Sequence, residues 1–595
     1  MSNATNFKFS SLVGLVAAGA LLGVACTADV TGKSPNGAGP NGNAAGAGGS
    51  STTTAGGVGP AAGSGALTDP PKVPGAPSVE SAGPLPLLRL THREYSNTMA
   101  ELLGDTTKPG TTFEPDAPGP AGYQAPGTVA TETARGYMAA AETLAATAIT
   151  SKKLSIPCSA PADAAAEKTC VTTFVKDFGA KAYRRALVQG EVDDLVALFQ
   201  KAKTLGFGFQ DAVTHTVEAM LQSPNLLYHW EIGDKPLAHD PDNAALVALT
   251  ADQLASRLSY FLWESPPDAA LQTAAAAGQL STPDGLKAQA VRLLADDTRA
   301  RRALFNFHRQ WLHVDNLEDL VPGTDLGLQL GSELEAFVAS VFVAGDGTLK
   351  SLLTAPYTFA NASTAPEYGL SANGSGFTQV QLDPTQRLGV LMQVPFLRTN
   401  GIAPPVRRGL VVYKQLLCGD VPAPPPNVPK PEMDSPSTTT RERFSKHAEQ
   451  ACATGCHALF DPWGFAFENF DPLGHYRTQE NGQTVDPSGL AQAGGVIGGT
   501  TPKQVVVPFK NGLELVNALA ASDEVSWCTS RHWSRYMLGR VEGDADAGAL
   551  TNAYVAAAYQ SDRVTARPFS IKDFLIAIVG TKAFRFRAPA AGETL

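Results

Sequence analysis

The chain has 595 residues, too many for one ordinary core, so several domains are expected. Hydrophobic residues make up 43% and charged residues only 17%, which suits packed domains and argues against a disordered chain. The net charge of −10 and the absence of a long basic run exclude nucleic acid as an expected partner.

The first 26 residues carry one early lysine, Lys8, and then an apolar run from Leu12 to Ala25. That length suits a signal-peptide core and is short for a membrane span. The run ends in "LLGVAC", and the small residues before Cys26 point to a lipoprotein signal in which Cys26 is lipidated. Ordinary secretory cleavage is the alternative. Residues 27–84 are mostly Gly, Ala, Ser, Thr, Asn and Pro, with too little to bury to offset the entropy of ordering. They read as a flexible tether. No later segment is apolar for long enough to span a bilayer.

The folded part is expected to be mainly α and multidomain. It begins at 85–150 with "LTHREYSNTMAELLG", where Thr91 and Glu94 form a capping-box pattern and Gly104 a stop. A second helix is expected in "TETARGYMAAAETLAATAIT". Residues 158–232 form the next helical domain, with Cys158 and Cys170 bracketing a short polar loop as natural disulfide partners. In 244–375 the apolar positions Leu254, Leu258, Phe261 and Leu262 lie on one helical stripe, and further helices are expected in 282–296 and 299–314. Residues 387–417 read as two helices parted by Gly401 and Pro404-Pro405, inside a domain at 387–487. A small irregular segment with a β-type run at Val505–Val507 leads into a last helical domain, 505–587, with helices near 511–520, 525–538 and 569–579. Cys418 and Cys528 remain as a second potential bridge.

The chemistry sits in "HAEQACATGCHALFDPWGFAFENFDPLGHYR", residues 447–477. Cys452, Cys456 and His457 form C-x-x-x-C-H, one residue longer than the C-x-x-C-H that attaches a c-type haem. A histidine directly after the second cysteine places its imidazole under the ring plane, and Gly455 offers backbone freedom for the extra residue. The first reading is therefore haem c, with Cys452 and Cys456 attaching the porphyrin and His457 as proximal iron ligand. Met433, Met537, His447 and His475 are the candidates for a sixth ligand. Three other readings stay open: a Cys452–Cys456 disulfide, a zinc site with His447 and His457, and a reactive dithiol. The aromatic run Trp463, Phe465, Phe467 and Phe470 suits a haem-pocket wall or an ordinary core equally. His308 and His313 read as structural, and Arg184-Arg185 and Arg407-Arg408 as helix-surface or propionate-pairing groups. There is no P-loop, dinucleotide fingerprint, H-E-x-x-H or nucleophile elbow.

The stretches "RLTHREYSNTMAELLG", "AKAYRRALVQGEVDDL", "LTADQLASRLSYFLWESPPDAAL", "RRGLVVYKQLLCGDVPAPPPNVP", "DPWGFAFENFDPLGHYR" and "RHWSRYMLGR" occur here in that order. In this the chain resembles secreted multidomain proteins of myxobacteria and planctomycetes, built from consecutive domains of unknown function around a cytochrome-c-like segment. The resemblance covers nearly all of residues 85–587. It implies export, a mostly helical architecture and a c-type haem domain, although the usual C-x-x-C-H of that family is lengthened here. The function expected is electron transfer, or haem-based redox chemistry, in the periplasm or at the cell surface. The partner would be a redox protein or small electron carrier, with membrane contact only through the lipid on Cys26. Whether the chain is also an enzyme stays open. The competing function is an extracellular binding or scaffold protein, polysaccharide-associated, with Cys452–Cys456 as a disulfide.

Overall fold

The computed structural model describes residues 77–157, 163–234, 236–317, 319, 321–399, 404–421, 438–448, 454–493 and 505–593. The signal, Cys26 and residues 27–76 of the expected tether lie outside the described residues, whereas residues 77–84 pack on the folded part, where Ala82 is buried against Leu246 and Phe586. The protein is mainly α, with small two- and three-stranded sheets.

Among the described residues, the first five α-helices are α1 (His92–Leu103), α2 (Thr131–Thr150), α3 (Ala164–Ala182), α4 (Gln189–Thr204) and α5 (Phe209–Leu221). α1 starts where its sequence says it should. The Thr91 hydroxyl accepts from the Glu94 N–H, the Glu94 carboxylate accepts from the Thr91 N–H at 2.7 Å, and Gly104 closes the helix at φ 64°. Their apolar faces close one core, from Leu90 through Phe174, Phe199 and Met220 to Leu227, joined by Tyr260. Arg184 is buried beside it and donates to the carbonyls of Leu226 and Tyr228.

Strand β1 (Asn243–Ala248) pairs antiparallel with the chain end, Val247 opposite Arg587 and Ala248 opposite Phe586. The start of the folded part returns to the same region: Ser78 and Asn552 exchange hydrogen bonds, and the Gly83 N–H donates to Asp546. Then come α6 (Ala251–Trp263), α7 (Pro283–Leu294), α8 (Arg299–Trp311) and α9 (Leu326–Phe342). A hairpin of β2 (Tyr357–Ala360) and β3 (Thr378–Gln381) follows, with Phe359 opposite Gln379.

The span 387–417 departs from the expected pair of helices. It contains a short turn of helix at Val394–Leu397 and then α10 (Pro404–Val411), which loosens into a π-helical segment at Val412–Leu416. Next are α11 (Thr440–Ala448) and α12 (Thr454–Phe465). The β4 (Gly489–Ala493) and β5 (Val505–Phe509) strands pair antiparallel, and α13 (Gly512–Ala520), α14 (Asp523–Leu538), α15 (Ala547–Ala558) and α16 (Ile571–Ile578) complete the chain. A single core runs from Leu249 to Phe584 and includes Trp263, Phe307, Trp463 and Trp533, so the segments at 244–375, 387–487 and 505–587 share one interior. Cys418 and Cys528 are bonded, their Cα atoms 5.5 Å apart, and tie the end of the π-helical segment to α14 across 110 residues.

Glu333 on α9 is fully buried inside this core. Thr358 and Tyr368 both donate to its Oε1, while Oε2 has no hydrogen-bond partner within ordinary distance among the described residues. Burial pushes its carboxyl up to about 8, against the pull of those donors. The folded state therefore keeps a proton that the unfolded chain loses at ordinary carboxylate pH. Stability should fall as pH rises from about 4.5 to about 8 and level off above that, by up to about 1.4 kcal/mol per pH unit for this one group. In denaturant unfolding between pH 5 and 8, Glu333→Gln is expected to flatten that slope by up to one proton. An unchanged slope would show that Glu333 is ionised in the fold.

Candidate functional site

The motif helix α12 carries Cys456 and His457 consecutively and is pressed against α10. Two glycines make the crossing possible. A Cβ on Gly409 would stand 2.0 Å from the Phe460 carbonyl oxygen, and one on Gly464 would stand 1.8 Å from that of Pro405. Between them Arg408 is completely buried. Its guanidinium donates to the carbonyls of Leu397, Phe467, Phe470 and Asp471, with no carboxylate in hydrogen-bond reach among the described residues. Burial lowers it to about 9. Arg387 acts in the same way, donating to Met392 O and to Gly474 O at 2.6 Å while lying over the Phe470 ring. The expectation of helix-surface or propionate-pairing arginines fails for Arg184 and Arg408. Both are interior clamps on backbone carbonyls, which a fork of five fixed donors suits.

His457 Nδ1 lies 2.9 Å from Asp461 Oδ2, one helical turn on. Asp461 is only 2% exposed, and the His457 ring sits 5.1 Å from Phe460. A carboxylate on Nδ1 selects the tautomer that leaves Nε2 as the ligating nitrogen. The donor chemistry at this position therefore fits a metal-bound histidine. Trp463, Phe467 and Phe470 belong to the main core, and the buried Trp463 indole N–H has no acceptor among the described residues. Cys452 and Met433 lie outside the described residues, as do the side chains of Cys456 and His447, so neither thiol is placed against His457.

The other candidates are held elsewhere. His475 Nε2 is 3.1 Å from Glu367 and Nδ1 is 3.6 Å from Asp471, with 43% of the side chain exposed. Met537 lines a cavity formed by residues near 86–94, 229–264 and 306–310, away from the motif. His308 is fully buried, bonds Leu304 O through Nδ1 and is lowered to about 4 by burial, a structural role. Cys170 is disulfide-bonded, and Cys158 lies outside the described residues. Among the described residues, the one group of three with metal-ligand spacing is Cys418, Cys528 and His532, and there the two sulfurs are already bonded to each other.

Two acids in this region escape a sequence reading. Asp461 had a usable signal, since a carboxylate four residues after the histidine shares its helix face. Glu468 had none. It is buried, its carboxyl is pushed up to about 7 by burial against the pull of Arg408 and Arg477, and Arg477 donates to it at 3.2 Å. It forms part of the wall of a cavity of about 430 Å³ beside α11, with Arg441, Lys446, Glu480 and Asp486.

Four family descriptions match the chain in succession: PSD3, protein of unknown function (DUF1587), over residues 89–150; PSD5 (DUF1595) over 170–231; PSD4 (DUF1592) over 249–370; and PSCyt3 (DUF1588) over 387–480. The last has a cytochrome-like name and spans the motif. No curated protein and no solved structure matches the chain.

The glycine crossing makes a direct prediction. Gly464→Ala should cost about 3 kcal/mol, because the new Cβ meets backbone rather than a yielding side chain. Thermal unfolding checks this, and a change under about 0.5 kcal/mol would mean that the helices are not in contact there.

Proposed function

We propose, for a chain that belongs to the multidomain proteins built from consecutive domains of unknown function around a cytochrome-c-like segment, that its work is single-electron transfer at a c-type haem. Cys452 and Cys456 would hold the porphyrin and His457 its iron. The observation that carries the reading is the His457–Asp461 pair. A metal-bound histidine usually hands its second nitrogen to a fixed acceptor, and a buried carboxylate is a strong one. When bound, the haem would supply a one-electron couple at its iron. Asp461 orients the imidazole and raises its basicity. The crossing with α10 and the Arg408 clamp fix the helix that presents it. The mostly apolar packing of Phe460, Trp463 and Phe467 keeps bulk water from that helix face.

We further propose that the protein works outside the cytoplasm, exported by its N-terminal segment and tethered through lipid on Cys26. It would exchange electrons there with a redox protein or small carrier.

Protein produced with a c-type maturation system should show a Soret band that survives denaturation, and Cys456→Ser should lose it. A colourless protein with no free thiol at Cys452 and Cys456 would support the scaffold reading instead. In the haem-loaded protein, Asp461→Asn should raise the midpoint potential, because removing the anionic partner makes the imidazole a weaker donor to ferric iron. A midpoint that does not move would separate Asp461 from the metal.

A further inference from the structure

The disulfide between Cys418 and Cys528 has a histidine beside it. Cys528 and His532 stand one turn apart on α14 and are 1% and 4% exposed. Cys418 reaches them from just beyond the π-helical segment Val412–Leu416 and is partly exposed. One sulfur from each cysteine and one ring nitrogen of His532 all lie within 4.8 Å of one another.

The imidazole is held as a ligand would be. Its Nδ1 is 2.9 Å from the hydroxyl of Tyr123, which is buried, and its Nε2 is 3.4 Å from the Lys414 carbonyl oxygen. A hydroxyl accepts as readily as it donates, so Tyr123 can take the Nδ1 proton and leave Nε2 with its lone pair. The long contact to Lys414 makes only a weak claim on that nitrogen. Cys528 Sγ lies 3.5 Å from the next carbonyl oxygen, that of Gln415, so the sulfur and Nε2 meet the same turn of backbone.

That turn is irregular. π-helical turns are rare and recur at functional sites. Cys418 then stands at φ 52°, a left-handed conformation that a non-glycine residue keeps only while its surroundings hold it there. The bond to Cys528 is one such hold. Opening it frees Cys418 to turn, and lets the sulfurs part to the roughly 3.8 Å that separates two thiolates on one tetrahedral zinc.

The donor set then selects the ion. Two sulfurs and a nitrogen, with no carboxylate in the group, suit a borderline-soft ion and not magnesium or calcium. We propose that Cys418, Cys528 and His532 form a zinc site once their disulfide is reduced, so that the bond acts as a lock on a metal centre. The electrons come from a dithiol. Its two S–H groups become a disulfide while Cys418 and Cys528 become thiols. Zn²⁺ then displaces the two thiol protons to water, and His532 binds it through Nε2 as a neutral imidazole. Three protein ligands leave a fourth position for water. The site uses neither motif cysteine and stands whether or not haem is attached there.

The test uses the full chain carrying Cys452→Ser and Cys456→Ser, so that zinc bound by the motif does not enter the count. The folded protein is treated with a phosphine, freed of it without air, and titrated with zinc chloride against a chromophoric chelator. One zinc per chain is expected after reduction and none before it. Adding Cys528→Ser should abolish that uptake. Adding His532→Gln should weaken it at least tenfold. If one of these variants does not fold, the other and the comparison of reduced with oxidised protein decide. No uptake after reduction overturns the proposal. So does equal uptake by a folded Cys528→Ser or His532→Gln variant, or a disulfide that yields no thiol while the chain stays folded.

Discussion

The crossing of α10 and α12 is the constraint on which the rest turns. Two backbones approach until no Cβ fits between them at Gly409 or Gly464. Close approach of this kind maximises dispersion contact and leaves a helix little freedom to rotate or slide. The rotation matters, because it fixes the face of α12 on which His457 and Asp461 lie. Pro462 sits inside the same helix, where it removes one hydrogen bond. Packing against α10 is what keeps the helical path through that position.

The second device is the use of arginine on carbonyl groups. Arg184, Arg387 and Arg408 each bind carbonyl oxygens of short helical turns and the loops beside them, at 225–228, 392 and 474, and 397 and 467–471. Loops and the last turns of helices leave carbonyls without a ladder partner, and a buried unpaired carbonyl is expensive. One guanidinium serves several at once, although burial pushes Arg408 down to about 9. Charged residues are scarce in this chain, yet several of them are spent inside it.

Much of the helical framework was legible because its signals are local. The Thr91–Glu94 capping box, Gly104 and the stripe of α6 are each read within a few residues, and each is found in place. The run at Val505–Val507 is a strand, but its partner, β4, is rich in small residues and gave no alternation to read. Residues 387–417 misled for a different reason. Their apolar content reflects a fully buried turn and a short helix, Val394–Leu397, where periodicity cannot tell a helix from packed coil. At the site, the order Cys452, Cys456, His457 was visible, and Asp461 was within reach by spacing. The roles of Arg408 and Glu333 come from partners tens of residues away, and that of Glu468 from its burial, which no local pattern encodes.

The account's central claim concerns covalent bonds at two sulfurs, so the mass of the intact mature polypeptide tests it most directly. Under denaturing conditions, the account predicts a chain heavier by one iron porphyrin, and Cys456→Ser should not carry that addition with the same stability. A chain lighter by two hydrogens at Cys452 and Cys456, with no addition, would mean that the sulfurs are bonded to each other and would contradict it.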